Sequence, residues 1–168
     1  MVPFVQTKQA NTEGLEVRRF IALQRHASGR LQTLRGKGLE RLRRVERLVE
    51  TAVLYQVTSL ALTEVNNTSG VFDFVRLCQQ AGIKPVVGVE FRNGDEFCYV
   101  CLAKDTEGFA EINRFLSQYL LSEKPFPLRP PHFERVWVIY PLAVLEQGFQ
   151  PLEHELVGVR LSELARFW

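Results

Sequence analysis

Residues 81–91 read Ala81-Gly82-Ile83-Lys84-Pro85-Val86-Val87-Gly88-Val89-Glu90-Phe91, and this stretch decides the fold. Pro85 to Phe91 is a short, nearly continuous apolar run, the pattern of a strand buried on both faces. Just upstream, Val71, Phe72, Phe74, Val75 and Cys78 recur at helical spacing as an apolar stripe, which Gly82 stops in the manner of a C-terminal glycine. Before that helix, Thr58-Ser59-Leu60-Ala61-Leu62-Thr63 is a second apolar run that predicts another buried strand, with Glu64 to Ser69 as a polar loop between. The central order is therefore strand, helix, strand.

Downstream, Asn93-Gly94-Asp95 is a hairpin-type turn, so Phe97 to Ala103 is expected to return as a strand antiparallel to the one before it. Thr106 to Leu121 predicts a helix with Phe109, Ile112, Phe115, Leu116, Tyr119 and Leu120 on its apolar face. Pro125, Pro127, Pro130 and Pro131 mark a loop that can be neither helix nor central strand. Val136 to Tyr140 and Leu156 to Arg160 are further strands, with a short helix between them and another beginning at Leu161. On the N-terminal side, Leu39, Leu42, Val45, Leu48, Val49, Ala52 and Val53 recur every three or four residues, with Arg41, Arg43, Arg44, Glu46, Arg47 and Glu50 outside that stripe. Strands alternating with helices argue for an α/β domain on a largely parallel sheet or barrel.

With 168 residues, 46% of them hydrophobic, the chain has enough material for one domain with a real core. Residues 1–38 form a basic, poorly patterned segment: 1–14 lack a sustained period, and 15–38 are Arg-rich and interrupted by Gly29, Gly36 and Gly38. Residues 39–168 carry the patterned α/β domain. Charge divides along the same line, with 11 Lys and Arg against 4 Asp and Glu up to Arg47, and 10 against 15 from Leu48 onward. Such asymmetry can mark a segment that faces nucleic acid. The three cysteines, Cys78, Cys98 and Cys101, point to a reducing cytoplasm rather than a disulfide framework. Cys98 and Cys101 lie three apart in a strand pattern, on opposite faces, and read as core cysteines rather than a redox or zinc pair. No apolar run approaches the roughly 20 residues that span a bilayer, so a soluble chain with no membrane partner is expected.

Leu48 to Val53, then Ser59-Leu60-Ala61-Leu62-Thr63, then Ala81 to Phe91 resemble, in that order, the helix, the second strand end and the third strand of PHP domains (polymerase and histidinol phosphatase family) at the N-terminus of bacterial DNA polymerase III alpha subunits. Asn66-Asn67-Thr68-Ser69 and Phe91-Arg92-Asn93-Gly94 are similar to the Bacteroidetes-type variant of that family. The resemblance runs from residue 48 to about 120. It implies a partial, distorted (β/α)7 PHP-type barrel of alternating strands and helices, with functional loops at the C-terminal strand ends. It also implies a role in DNA replication, with the rest of the alpha subunit and replisome proteins as partners and DNA reached indirectly.

Metal-competent members of that family hold divalent ions through an H-x-H after the first strand, an Asp-His after the second and a Glu closing the third. Carried over, Glu64 falls at the Asp position, Val65 at the His position and Glu90 at the strand-ending Glu. Valine cannot ligate, the chain has no H-x-H, and His26, His132 and His154 are isolated from one another. Glu64 and Glu90 are the candidate metal remnant, and they also read as two solvated carboxylates at a barrel rim. No catalytic residue is assigned. No cofactor is expected unless further residues complete a site for zinc, manganese or magnesium.

Arg41, Arg43, Arg44 and Arg47 are candidate nucleic-acid-binding residues, since several arginines on one helix can neutralise successive phosphates. The same residues also read as the outer face of an amphipathic helix. A P-loop, a dinucleotide fingerprint and a G-x-S-x-G elbow are all missing from the sequence. The expected function is thus an incomplete, structural PHP region of a replicative polymerase. The alternatives are a stand-alone metal-dependent PHP phosphoesterase or 3′–5′ exonuclease, and a small basic nucleic-acid-binding protein.

Overall fold

The computed structural model describes residues 4–5, 38–152 and 155–159. They divide into two compact units, one drawn mainly from 38–62 and 69–86 and the other from 63–68 and 87–158. The predicted helix at Leu161 and most of the basic segment 1–38 lie outside the described residues, as do His26 and His154.

In the first unit, α1 (Gly38–Leu54) and α2 (Val71–Gln80) pack against each other. Val45, Leu48, Val49 and Ala52 are buried at the three- and four-residue spacing of one helical face. Val53, expected on that face, is 52% exposed because it lies about 100° around the helix from Ala52. Gln56 then adopts a left-handed φ of 53°, and the Val57 N–H donates to the Ala52 carbonyl (2.9 Å), closing the helix end. In α2, Val71, Phe74 and Cys78 are buried. Phe72 departs from the expected stripe, standing 82% exposed. Gly82 has φ +68°, the Ile83 N–H donates to the Cys78 carbonyl (2.8 Å), and the Lys84 N–H then donates to the Thr58 carbonyl (2.9 Å), delivering the chain into a strand.

The strands are β1 (Phe4–Val5), β2 (Ser59–Val65), β3 (Lys84–Asn93), β4 (Glu96–Ala103), β5 (Val136–Pro141) and β6 (Glu155–Val159). Their order is β1-β6-β5-β4-β3-β2, so among the described residues the five main strands make an open mixed sheet rather than a closed barrel. The bond from Lys84 to Thr58 at their start, and one from the Asn66 N–H to the Glu90 carbonyl (3.0 Å) where β2 has ended, show that β2 and β3 run in the same sense. β3 and β4 are antiparallel, β4 and β5 are antiparallel, and β5 and β6 are parallel. The largely parallel sheet expected from the pattern is therefore interrupted. The two-residue turn Gly94-Asp95, with φ +59° at Gly94, lays β4 in reverse between β3 and β5.

Within the second unit the core is aromatic. α3 (Thr106–Ser122) lies on β4 and β5, and Ile112, Phe115 and Leu116 bury against Val89, Phe91, Tyr99, Cys101, Val138 and Tyr140. Phe91, fully buried, meets Tyr99 and Phe115 at ring-centroid distances of 5.3 Å each and Phe126 at 4.9 Å. These are the tilted and edge-on arrangements that aromatic quadrupoles favour. The proline-rich loop turns Phe126 and Phe133 inward, and the Asn93 side chain holds the main chain of Phe126 by donating to its carbonyl (3.0 Å) and accepting its N–H (2.8 Å). α4 (Ala143–Glu146) is the short helix expected between β5 and β6.

Candidate functional site

Glu64 stands one residue before the end of β2, not in the polar loop expected after it. Glu90 stands three residues before the end of β3, because that strand continues to Asn93. Both are half-buried, on neighbouring strands. Past Val65 the chain turns through Asn66, whose φ of 47° is left-handed, and Glu64 bridges to Asn67 across this turn. Asparagine tolerates that conformation better than most residues.

Asn66 also extends the ladder between the two strands. Its N–H donates to the Glu90 carbonyl, its Oδ1 accepts the Arg92 N–H (2.9 Å), and its Nδ2 donates to the Arg92 carbonyl (2.9 Å). Further along the loop, Thr68 Oγ1 donates to Asn113 Oδ1 on α3 (2.9 Å). The segment that would present ligands is thus tied down at two points.

The Glu90 carboxylate is engaged by an arginine from its own strand. Arg92 Nε donates to Glu90 Oε1 at 2.5 Å, the two side chains being 35% and 21% exposed. Residues two apart on a strand share a face, which is what brings the pair together. Opposite them β4 carries a bulge: Phe91 pairs with Tyr99 and Arg92 with Phe97, leaving Cys98 without a partner. The guanidinium lies over the Phe97 ring, 5.7 Å from its centroid, and Arg92 Nη1 donates to the Asp95 carbonyl (3.2 Å).

This donor set does not fit a divalent ion. Such ions demand several carboxylate or imidazole donors converging on one point. Among the described residues no group of three His, Cys, Asp or Glu is placed to hold a metal. Val65 offers no donor, and a permanent cation already engages Glu90.

His132 is exposed on the proline-rich loop. Cys98 and Cys101 both lie on β4, half-buried and buried respectively, with free thiols. Burial pushes the Cys78 thiol up to about 11 and raises that of Cys101 further. On α1, Arg43, Arg44 and Arg47 are exposed, and their spacing of three and four makes them neighbours on the helix surface. Arg41 lies in the same helix.

Two features escaped the reading of the sequence. Arg92 has no assignment in a strand predicted to end at Phe91; a Glu-x-Arg alternation inside a longer strand is the signal that finds it. Glu155 has no role assigned by the sequence pattern. It is buried instead, with Oε1 accepting from the Tyr140 hydroxyl (2.9 Å) and 3.1 Å from Arg129 Nε, while Oε2 accepts the Leu152 N–H (2.8 Å). Burial, and then the adjoining Glu155 carboxylate, raise the Tyr140 phenol well above its ordinary value.

Comparison with known proteins adds the family. Residues 39–155 match the PHP domain. The chain is 33% identical over 128 residues to the error-prone DNA polymerase of Symbiobacterium thermophilum, a match covering 72% of this chain and 12% of that polymerase. It is 41% identical over 46 residues to the DNA polymerase III subunit alpha of Chlamydia trachomatis, and equally to that of Chlamydia muridarum, covering 27% of this chain and 4% of each relative. The chain thus spans only a small part of the length of the polymerases it matches. A family match across this much of the chain, on an α/β sheet, places the protein in the PHP domain family.

Proposed function

We propose that this chain acts as the PHP region of a bacterial replicative or error-prone polymerase polypeptide, as a structural element that hydrolyses little or nothing. The replication context is supported by homology to DNA polymerase III alpha and error-prone polymerases. The observation that carries the structural role is the Glu90–Arg92 ion pair, in a donor set without histidine. In this reading the open sheet is part of a PHP-type (β/α)7 barrel, Glu64 and Glu90 are remnants of a metal site, and no metal cofactor is used. Its partners are the remaining polymerase segments and replisome proteins, in the cytoplasm, with DNA reached through them. Among the described residues no helix is long and apolar enough to cross a membrane.

The test incubates the purified chain with manganese or zinc and 5′-labelled single-stranded DNA. No 3′ shortening above a metal-only control is expected. Turnover that Glu64→Ala and Glu90→Ala each abolish would overturn the structural reading in favour of a metal-dependent exonuclease or phosphoesterase.

A second reading, direct nucleic-acid binding, is favoured only by the exposed Arg43, Arg44 and Arg47. It requires DNA affinity that falls steeply with salt and is lost when these three become glutamine.

A further inference from the structure

We propose that Arg92 is the resident cation of this site, a positioning residue whose guanidinium neutralises Glu90 where a PHP domain with a full ligand set would use a metal ion. The inference rests on the reading that the site does not run on metal.

The argument starts from placement. Glu90 and Arg92 share one face of β3, and their side chains are 21% and 35% exposed, so the carboxylate is partly withdrawn from water. A half-buried carboxylate needs a counter-charge or hydrogen-bond donors, since burial otherwise penalises its ionised form. The Arg92 Nε supplies both at 2.5 Å.

The charge is also held in place by its neighbours on the protein side. Both main-chain groups of Arg92 are held by the Asn66 carboxamide, the guanidinium donates to the Asp95 carbonyl, and it lies over the Phe97 ring, 5.7 Å from the centroid. The β4 bulge at Cys98 sets this last contact by bringing Phe97 opposite Arg92. A cation held this way loses little further freedom in forming the pair, unlike the floppy partner of an ordinary surface ion pair. It also repels any divalent ion approaching Glu90, because like charges at this range oppose each other strongly outside bulk water.

Three variants of the full chain test this: Arg92→Ala, Glu90→Gln and the double substitution. Thermal unfolding is followed with EDTA and with manganese, and manganese affinity is measured by electron paramagnetic resonance. Wild-type unfolding should be indifferent to EDTA. Arg92→Ala should lower the Tm by about 3 °C, and that loss should shrink by half or more when Glu90 is already glutamine. With too few donors for a real site, wild type should bind manganese no better than scattered surface carboxylates do, and Arg92→Ala, its like charge removed, should still bind weakly but about tenfold more tightly than wild type. Arg92→Lys, which keeps a charge but loses the planar fork, should fall between the two and keeps the test informative if the alanine variant does not fold.

Losses that simply add, or manganese affinity equal in wild type and Arg92→Ala, overturn the inference while leaving the structural reading intact. Loss of stability on adding EDTA to wild type overturns both.

Discussion

The Asn66 carboxamide pairs with the main chain of Arg92 in both directions, its Oδ1 accepting the Arg92 N–H and its Nδ2 donating to the Arg92 carbonyl, each at 2.9 Å. A side chain here does what a strand residue would have done. The chain has already turned left-handed at Asn66, so its own backbone can offer β3 only the one bond to Glu90. Asn66→Ala should destabilise by about 1–3 kcal/mol, because it leaves part-buried main-chain groups unpaired and puts at a positive φ a residue without the polar side chain that lets asparagine tolerate it. Asn66→Gly should be as harmful or less so, since it relieves the backbone but not the lost bonds. Denaturant unfolding checks both, and a loss below about 0.5 kcal/mol for the alanine variant would show that water replaces the carboxamide.

Phe91 sits where three rings converge, those of Tyr99, Phe115 and Phe126. Phe91→Ala removes a fully buried ring and leaves a cavity between β3 and α3, for an expected cost of about 3–5 kcal/mol. Leu121 is as apolar but 86% exposed, and Leu121→Ala should change stability by no more than about 0.5 kcal/mol. Urea titration of both variants separates burial from hydrophobicity, and equal losses would contradict the assigned core.

The parts of this fold that follow local rules were legible without coordinates. The spacing of Val45, Leu48, Val49 and Ala52 marks α1, Gly82 marks the end of α2, and Asn93-Gly94-Asp95 marks the hairpin, because each depends on neighbours within a turn or two. Where β4 would lie was not legible. A hairpin announces that β4 reverses, but not that β5 will pair beyond it rather than beside β3, which is a choice made by long-range packing of Tyr99, Val138 and α3. Phe72 and Val53 are exposed although they adjoin the apolar stripes, and in sequence an apolar residue beside a stripe is indistinguishable from one within it. At the site, Glu64 and Glu90 were found through a resemblance to PHP domains, whereas Arg92 and Asn66 depend on where two strands end. The ion pair is visible only when β3 runs on two residues past Phe91, to Asn93.

Asp105 caps α3 through a bond from the Gly108 N–H (2.9 Å) and pairs with Arg135 Nη1 (2.6 Å). The Gly108 N–H and then the Arg135 guanidinium hold its carboxyl below the ordinary value of 3.8. A carboxylate whose folded value is lowered stabilises the fold above its unfolded value, and that contribution disappears as pH falls through the folded value. Stability should therefore decline below about pH 4, and Asp105→Asn should flatten this acid limb while leaving neutral-pH stability less affected than Asp105→Ala. Thermal melts from pH 2 to 7 at low and high salt provide the check. Because Asp105 and Arg135 are 39% and 51% exposed, salt should weaken the paired contribution but not the cap. An acid limb identical in wild type and Asp105→Asn would remove Asp105 from the account.

Gly108 offers a test in which two rules predict opposite signs. It lies in the first turn of α3, where helix propensity alone says that alanine should stabilise by up to about 1 kcal/mol. Yet a Cβ at Gly108 would come within 1.9 Å of the Arg135 carbonyl oxygen, main chain rather than a flexible side chain. That carbonyl is itself held, accepting the Lys104 N–H at 2.9 Å where β4 hands over to the helix. The clash cannot be relieved by a rotamer change, so either the helix start or the entry to β5 must move. Gly108→Ala should accordingly destabilise by about 1–3 kcal/mol, the range for forcing an extra methyl into a packed site. The propensity term then recovers only a fraction of the loss. Circular dichroism melts of Gly108→Ala beside an exposed helical control, Gln118→Ala, measure the difference. Stabilisation of the glycine variant would mean that α3 does not approach residue 135 this closely, and would remove the close contact on which the junction of β4, α3 and β5 depends.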